Sequence, residues 1–372
     1  MKFTVHRDDI LSVMANVQGL TGRKSAMAIT STVLLEVSAG TIKISATDLE
    51  TGFEGTYPAD VQSEGILALN SRKLFEIIRD FPSEQIHFEQ TANRWVDIGD
   101  TNVKYHISGL DPETFPKNPV IEDIELFNID SGHLKNMIDR TVGIVGETDD
   151  KRPHIIGVYL HSVSGHEQNS LRMVSTDIGR LAKMDYSYGK STSMPIPDGI
   201  LIPKKGLMEV SKFLTPTGIV QIGVSQNDLF VKKEKESFFI RLLEGDFPNY
   251  EKAIEKDSQF DMILDKETFL MTLKRMSILA ADKYPAVVLV FDKGNVNISS
   301  ASTELGDSKE DMPVEYDRPP IKVTYNPRYM IDMLNDIEGD KVVINIRGES
   351  YPCLIEEEED KSYMGAIMAM QV

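Results

Sequence analysis

The sequence repeats one pattern six times, in which a short strand and a helix are followed by several strands. The segment GILALNSRKLFEIIRDF at 65–81 has a counterpart in GILIPKKGLMEVSKFL at 199–214 and a weaker one in IKVTYNPRYMIDMLNDI at 321–337. A second set opens the chain with KFTVHRDDILSVMANV and recurs after residues 126 and 260. Six units in 372 residues leave about 62 residues for each, and two units make a domain of ordinary size. The pattern therefore predicts three similar domains, at 1–120, 121–252 and 253–372.

Apolar residues at helical spacing predict six amphipathic helices, which we place at 7–20, 71–81, 131–142, 204–214, 266–279 and 327–338. In the second of them Leu74, Ile77, Ile78 and Phe81 form one stripe, and Ser71 is a candidate cap. Alternating segments such as VQIGVSQNDLFVKK follow the helices and predict strands. The chain is thus predicted to be an α+β protein. Stripes of this kind are ordinary core-facing surfaces and by themselves indicate no function.

The charge of the chain is distributed unevenly between the helices and the rest. The formal net charge is −18, yet the six predicted helices hold 13 Lys and Arg against 10 Asp and Glu. The remainder holds 27 against 48, although the last helix is itself acidic. A protein this acidic does not coat nucleic acid with its whole surface, but a local basic face remains compatible with phosphate binding.

A catalytic function finds little support in the residues. The seven histidines lack the spacing of zinc ligands, and no phosphate-cradling glycine motif occurs, so we expect no metal and no cofactor. Cys353 precedes an acidic loop that would raise its pKa, which disfavours a nucleophile. Asp48 and Glu50 are more typical of turn capping than of a catalytic carboxylate pair. A hydrolase, or a β-rich adaptor that binds only proteins, stays as an alternative.

Other polar residues are expected to be solvated surface. We expect His161 and His166 to be exposed residues at strand ends, and the run EEEEDK at 356–361 to form a solvated hairpin tip. Cys353 is the only cysteine, no signal peptide opens the sequence and no run of eighteen apolar residues exists. These features predict a cytoplasmic protein.

Several short motifs, in their order along the whole chain, give a resemblance to a known family. With the six repeats, TDLE at 47–50, STDIGRLA at 175–182, FPNY at 247–250 and the terminal IMAMQV, the sequence resembles the bacterial sliding clamps, the β subunits of replicative DNA polymerase III. The resemblance implies the DNA-clamp fold, with three domains of one topology in each chain. It also implies a homodimer closed head to tail into a ring, with helices lining the hole and sheets outside.

The size of such a ring is consistent with two chains. Six helices about 9 Å apart would leave a clear opening of only ~7 Å, whereas a duplex is at least ~16 Å wide. Twelve helices would leave an opening of roughly 25 Å. A weakly basic lining would then attract phosphates, and the ring would hold double-stranded DNA by topology, without reading its sequence.

The resemblance also implies positions for three kinds of site. Partner proteins, namely the polymerase and clamp-loader subunits, would insert short apolar peptides into a cleft formed by Ile155, Thr176, Arg180, Leu181, Pro248, Lys252, Ala253, Ile367, Met368, Met370 and Val372. DNA would face Arg23, Arg72, Lys73, Arg152, Lys204 and Lys205. The dimer interface would join Tyr105 and Ile107 of one copy to Ile278 and Leu279 of the other.

This chain departs from the family pattern at several of these positions. Ile178 and Gly179 stand where Gly-His is common, Ala369 replaces a frequent proline and Gln371 a frequent arginine. Aromatic residues often found after Arg152 are absent. The preferred peptide is therefore expected to differ.

Overall fold

The chain folds into two compact units. A computed structural model describes residues 1–22, 27–119, 124–146, 152–190, 192, 194–196, 199–280, 285–302 and 306–371. One unit comprises Met1–Asn136 and Ser191–Leu243, and the other comprises Met137–Lys190 and Glu244–Val372. Each unit is described by itself below.

All six predicted helices are present, and the predicted ends differ by a few residues. The α-helices of the described residues are α1 (Arg7–Asn16), α2 (Gln18–Thr21), α3 (Ser71–Arg79), α4 (Ser131–Val142), α5 (Pro153–Ile156), α6 (Lys204–Phe213), α7 (Lys266–Ser277) and α8 (Pro327–Asn335). The helix predicted at 7–20 is interrupted at Val17, which separates α1 from α2. The predicted stripes are correct, because Leu74, Ile77 and Ile78 are buried.

The cap of α3 is Asn70 and not Ser71. The side-chain oxygen of Asn70 accepts a hydrogen bond from the backbone N–H of Lys73 at 3.0 Å. Ser71 is the first helical residue and is fully buried, where its hydroxyl accepts a hydrogen bond from the side-chain amide of Gln18 at 2.9 Å. Ser71 therefore joins α2 to α3.

The first unit contains two antiparallel sheets. Its strands are β1 (Lys2–His6), β2 (Thr32–Ser38), β3 (Thr41–Thr47), β4 (Thr51–Pro58), β5 (Asp60–Ser63), β6 (Gly65–Asn70), β7 (Gln85–Gln90), β8 (Trp95–Gly99), β9 (Lys104–Ser108), β10 (Phe127–Asp130), β14 (Ile200–Pro203), β15 (Ile219–Ser225), β16 (Asp228–Lys233) and β17 (Glu236–Arg241). The smaller sheet runs β5-β1-β7-β8-β9, and the larger runs β10-β15-β16-β17-β4-β3-β2-β6; β14 lies in neither of them.

The second unit also contains a larger and a smaller antiparallel sheet. Its strands are β11 (Gly157–Val163), β12 (Asn169–Thr176), β13 (Arg180–Tyr188), β18 (Asp261–Asp265), β19 (Val287–Asp292), β20 (Asn295–Ser302), β21 (Gly306–Pro313), β22 (Ile321–Tyr325), β23 (Lys341–Asn345), β24 (Cys353–Glu357) and β25 (Tyr363–Ile367). The larger sheet runs β11-β12-β13-β25-β24-β23-β18 through this unit, and the smaller runs β21-β20-β19-β22.

The larger sheets of the two units are copies of one design. The order β2-β3-β4-β17-β16-β15-β10 matches β11-β12-β13-β25-β24-β23-β18 strand for strand. The turns agree as well, because Leu49 and Ile178 both have positive φ, at 81° and 78°. In each sheet, strands distant in sequence meet at the centre: β4 pairs with β17, and β13 pairs with β25. The repeat of the sequence is thus reproduced in the pairing of the strands.

Several expectations for polar residues need correction. Glu356 is 3% exposed and accepts hydrogen bonds from Lys256 and Lys361, so the acidic run is not simply a solvated tip. His161 is half-buried within β11, and its Nε2 lies 2.7 Å from the hydroxyl of Tyr250. His166 lies exposed between β11 and β12 as expected.

Two further expectations are confirmed, one of them for another reason. Burial, and not the acidic run, raises the pKa of the Cys353 thiol, which is completely enclosed. Asp48 caps its turn as predicted, because its carboxylate accepts the backbone N–H groups of Glu50 and Thr51. Both findings disfavour a catalytic use of these residues.

Candidate functional site

The exposed side of α3 is basic, but an acidic residue partly neutralises it. Arg72 and Lys73 are exposed, and both donate to the carboxylate of Glu76, at 3.1 and 2.9 Å. These hydrogen bonds hold the pKa of Glu76 below its ordinary value, and the one from Lys73 has the larger effect. The face defined by Arg72, Lys73 and Glu76, here called the basic helix face, therefore carries a net charge of +1 at neutral pH.

The lysine pair at the start of α6 differs from this face because it is half-buried. Lys205 forms an ion pair with Asp48, the residue that caps the turn between β3 and β4. A charge that holds two elements together is not a freely exposed phosphate ligand. Of the other predicted DNA-facing residues, Arg152 is exposed at the start of α5, and Arg23 lies outside the described residues.

The residues predicted for the dimer interface lie at sheet edges and at a helix end. β9 is the last strand of its sheet, and on it Tyr105 and Ile107 are half-buried. β21 is likewise the last strand of its sheet. Ile278, which follows α7, is 72% exposed, the largest exposed fraction among the large apolar side chains of the described residues. Unpaired edges and exposed isoleucines are surfaces that proteins usually cover.

One of the predicted cleft residues, Leu181, belongs to a buried apolar cluster on one face of the larger sheet in the second unit. Leu181 pairs with Ala366, which in turn pairs with Leu354, so these side chains share a face. Tyr250 packs against them from the segment that follows β17, and Phe247 and Ile254 of the same segment pack beside it. We call this group, with Met368, the peptide cleft, after the role that the family resemblance predicts for this region. The cluster residues that the sequence analysis did not name are Ala366, Tyr250, Phe247, Leu354 and Ile254.

Ile367 does not belong to the cleft. It pairs with Arg180 and Cys353, so its side chain projects from the sheet face opposite to that of Ala366, and it is completely buried. Met368 follows it and is 46% exposed. Strict alternation from Met368 back to Ala366 could have assigned the correct residue.

The end of the chain is held by backbone hydrogen bonds beyond β25. The N–H of Met368 donates to the carbonyl of Gly179 at 2.9 Å, and the N–H of Met370 donates to the carbonyl of Thr324 at 2.8 Å. The side chain of Met370 is half-buried, and Val372 lies outside the described residues. The tail is therefore fixed beside the cleft.

The remaining predicted cleft residues differ in exposure and contacts. Pro248 and Lys252 are exposed and Ala253 is half-buried. Thr176 donates its hydroxyl to the carbonyl of Arg180 at 2.7 Å. Ile155 is buried in α5 and is not part of the cluster.

Arg180 is held mainly by contacts with α8. Its guanidinium forms ion pairs with Asp177 at 3.0 Å and Asp332 at 2.6 Å. Its Cζ atom lies 4.3 Å from the ring centre of Tyr329. These three contacts fix the guanidinium, so Arg180 can act as a rigid border of the cleft.

Comparisons with known proteins account for the whole chain. Family models of the N-terminal, central and C-terminal domains of the DNA polymerase III beta subunit match residues 1–119, 128–249 and 251–371. The chain belongs to the DNA polymerase III beta subunit family. Beta sliding clamps of Bacillus subtilis and Caulobacter vibrioides are 26% and 25% identical to it, and each comparison covers all of both chains.

Solved structures of clamps share the fold. A sliding clamp of Bacillus subtilis superposes with a TM-score of 0.91 at 26% identity, covering 100% of this chain and 99% of that one. The DNA polymerase III subunit beta of Pseudomonas aeruginosa gives 0.93 at 24% identity, with both chains fully covered. The predicted α+β clamp fold with three similar domains is confirmed.

Membership of the family establishes the function that the resemblance implied. The protein is a DNA sliding clamp, a processivity factor that encircles duplex DNA and tethers the replicative polymerase, and the family is not catalytic. Its partners are DNA, a second copy of itself, and polymerase and clamp-loader subunits. The hydrolase and adaptor alternatives are wrong. Within the described residues no helix could cross a membrane, and no group of three or more His, Cys, Asp or Glu could hold a metal ion.

Proposed function

We propose that two copies of this chain close into a ring through β9 of one copy and β21 of the other. In both larger sheets a strand of the β4 or β13 kind pairs antiparallel with one of the β17 or β25 kind. By its position in the repeat, β21 corresponds to β4 and β13, and β9 corresponds to β17 and β25. These are the strands left at sheet edges, so the pairing that occurs twice within the chain is completed a third time between chains. This correspondence carries the proposal.

The side chains near the two edges support the same pairing. Leu279 corresponds by its place after α7 to Leu20 and Ile144, which are 2% and 4% exposed, whereas Leu279 is only half-buried. Ile107 of a second copy would cover Leu279. Ile107 stands on β9 at the position that Ile240 occupies on β17 and Ile367 on β25, in the two larger sheets. The charges are complementary too, since β9 carries Lys104, and β21 carries three carboxylates, of Asp307, Glu310 and Asp311, against one lysine, Lys309.

In this ring, the basic helix face of α3 and Arg152 contribute to the lining of the hole. Arg23 stays a proposed contact with DNA. Net charge of this small size attracts phosphates without holding them tightly, which suits a protein that slides. Lys205 acts mainly through its ion pair with Asp48, and Lys204 stays a proposed DNA contact. The protein works in the cytoplasm, and its three domains divide at 120/121 and 252/253.

The peptide cleft of the second unit takes the apolar motif of the polymerase and of the clamp loader. Leu181, Ala366, Leu354 and Tyr250 form its floor, and Met368 and Pro248 form its exposed rim. Flexible methionine at the rim adapts to different side chains. An apolar anchor in such a pocket supplies most of the affinity of peptides of this kind.

Removal of residues 368–372 tests the cleft separately from the ring. The truncated protein should remain a dimer and lose binding of an apolar, polymerase-derived peptide, measured by fluorescence anisotropy. It should lose about 1 kcal/mol of stability through the two backbone hydrogen bonds. Unchanged peptide affinity would exclude the tail from the site, and a monomeric product would show that the tail supports the interface.

A further inference from the structure

The first unit contains an open pocket at the place where the second unit is filled with aromatic rings. We define the outer pocket as the cavity of about 550 Å³ between β2, β3, β4 and β6 and the segment 112–119. The turns at Thr47 and Thr176 align the two larger sheets, so that Leu34 corresponds to Tyr159. Likewise, the FPKN segment at 115–118 corresponds to FPNY at 247–250.

In the second unit aromatic rings occupy these corresponding positions. Tyr159 stacks on Phe247 at 5.0 Å between ring centres, and the Tyr250 ring lies 6.0 Å from that of Phe247. The first unit places the smaller Leu34 and Asn118 at two of these three positions. The outer pocket is thus the space that two missing rings leave.

The outer pocket is not a second copy of the peptide cleft. The floor residues Leu181 and Ala366 correspond to Gly52 and Phe239, by the same register. A side chain at Gly52 would approach Asn118 to 2.8 Å and Phe239 to 2.9 Å. The place of the apolar anchor is therefore closed in the first unit, and a ligand of the outer pocket must be recognised differently.

The lining of the outer pocket combines an apolar wall with acidic groups. Ile66 is 49% exposed there, beside Leu34 and Phe115. Lys43 lies 3.0 Å from Glu54 and 3.9 Å from Glu36. With Glu113 and Lys117, three carboxylates face two ammonium groups. Glu54 also accepts a hydrogen bond from Asn118, whereas Glu36 has, among the described residues, only the long contact with Lys43. The lining thus has one carboxylate more than it has cations.

We propose that the outer pocket binds a short peptide segment in which an apolar side chain stands next to an arginine. The apolar side chain packs on Ile66 and Leu34, and the guanidinium forms paired hydrogen bonds with Glu36, which Lys43 does not satisfy. An acidic peptide would meet the surplus carboxylate and is excluded.

Methyl-resolved NMR of the intact protein with two probe peptides tests the proposal. Acetyl-Leu-Arg-amide should shift the methyl signals of Ile66 and Leu34, and acetyl-Leu-Glu-amide should bind about tenfold more weakly. Ile66→Ser and Glu36→Gln should each weaken binding of the first probe by about tenfold. Ile219→Ser, which changes an isoleucine exposed elsewhere, should leave it unchanged.

Binding of a labelled polymerase-derived peptide, measured on the same samples, separates this site from the peptide cleft. It should be the same in all three variants. Equal binding of the two probes, shifts confined to other residues, or binding indifferent to Glu36→Gln would each overturn the proposal. The side chain of Glu36 is partly exposed, so Glu36→Gln should remain folded. This variant therefore still tests the proposal if Ile66→Ser fails to fold.

Discussion

The ammonium group of Lys205 forms an ion pair with the carboxylate of Asp48, although 157 residues separate them in the chain. The side chains are only 19% and 9% exposed. Lys205→Glu would place two carboxylates together in this half-buried position. We expect the free energy of unfolding to fall by about 3 kcal/mol, measured by urea denaturation. Lys322→Glu, on an exposed strand position, should change it little; equal losses in both variants would contradict a specific role of the pair.

The basic helix face offers a test of DNA attraction that does not disturb the fold. Arg72→Glu combined with Lys73→Glu should weaken association with a short duplex at low salt, because phosphate attraction is lost. Glu76→Gln should have the opposite effect, since it releases both cations from their carboxylate partner. Fluorescence anisotropy at low and at physiological salt measures both. Affinities that change in the same direction would rule out an electrostatic role of this face.

Ile278→Asp should convert the dimer to a folded monomer. The side chain is exposed in the single chain, so the fold tolerates the change, but in the proposed interface it would bury an unpaired charge at a cost of several kcal/mol. The mass in solution, by light scattering, reports the result. Ile219→Asp is the matched control and should remain dimeric, because Ile219 is also exposed but lies outside the proposed contact.

Ile367 and Met368 are neighbours in sequence that should behave differently. Ile367→Ala leaves a cavity in the core and should lower the free energy of unfolding by about 3 kcal/mol. Met368→Ala should leave stability nearly unchanged and weaken peptide binding about tenfold. Denaturation and anisotropy on both variants distinguish the two roles. The reverse pattern would mean that the assignment of the sheet faces is wrong.

Asp336 should make stability depend on pH in the acidic range. Burial raises its pKa from 3.8 to about 6, and its carboxylate accepts a hydrogen bond from Tyr363 at 3.3 Å. The folded protein therefore retains a proton that the unfolded chain releases, so the contribution of this group is greatest below about pH 4 and is lost as pH rises through 6. Asp336→Asn should be more stable than the parent by about 1–2 kcal/mol at pH 7, and equal at pH 4. An equal difference at both values would contradict the shift.

The parts of the structure that follow from local pattern could be predicted from the sequence. The stripe of Leu74, Ile77 and Ile78 specifies a helix and its buried side, because helical spacing alone places them together. The sixfold repetition predicted the six helical segments that each chain contains in its described residues. Edge positions such as Tyr105 and Ile107 were identified through family resemblance, and the free edge of β9 agrees with that role.

The errors occurred where the outcome depends on register or on distant residues. Ile367 and Ala366 lie in one apolar run, so composition does not reveal which of them faces the core; a shift of one residue exchanges the two faces. The partner of Lys205 is in another domain, and Glu356 is buried because Lys256 and Lys361 neutralise it. Contacts of this kind are visible only after the sheets are assembled.

In the proposed assembly, two chains form a closed ring around the duplex, joined by β9 and β21. The most direct test loads the protein onto a nicked circular duplex and, after gel filtration, measures how much stays bound before and after the circle is cut once. We predict that the dimer remains on the circle and leaves the linear molecule from its ends, and that Ile278→Asp is retained by neither. Equal retention on circular and linear DNA would contradict encirclement.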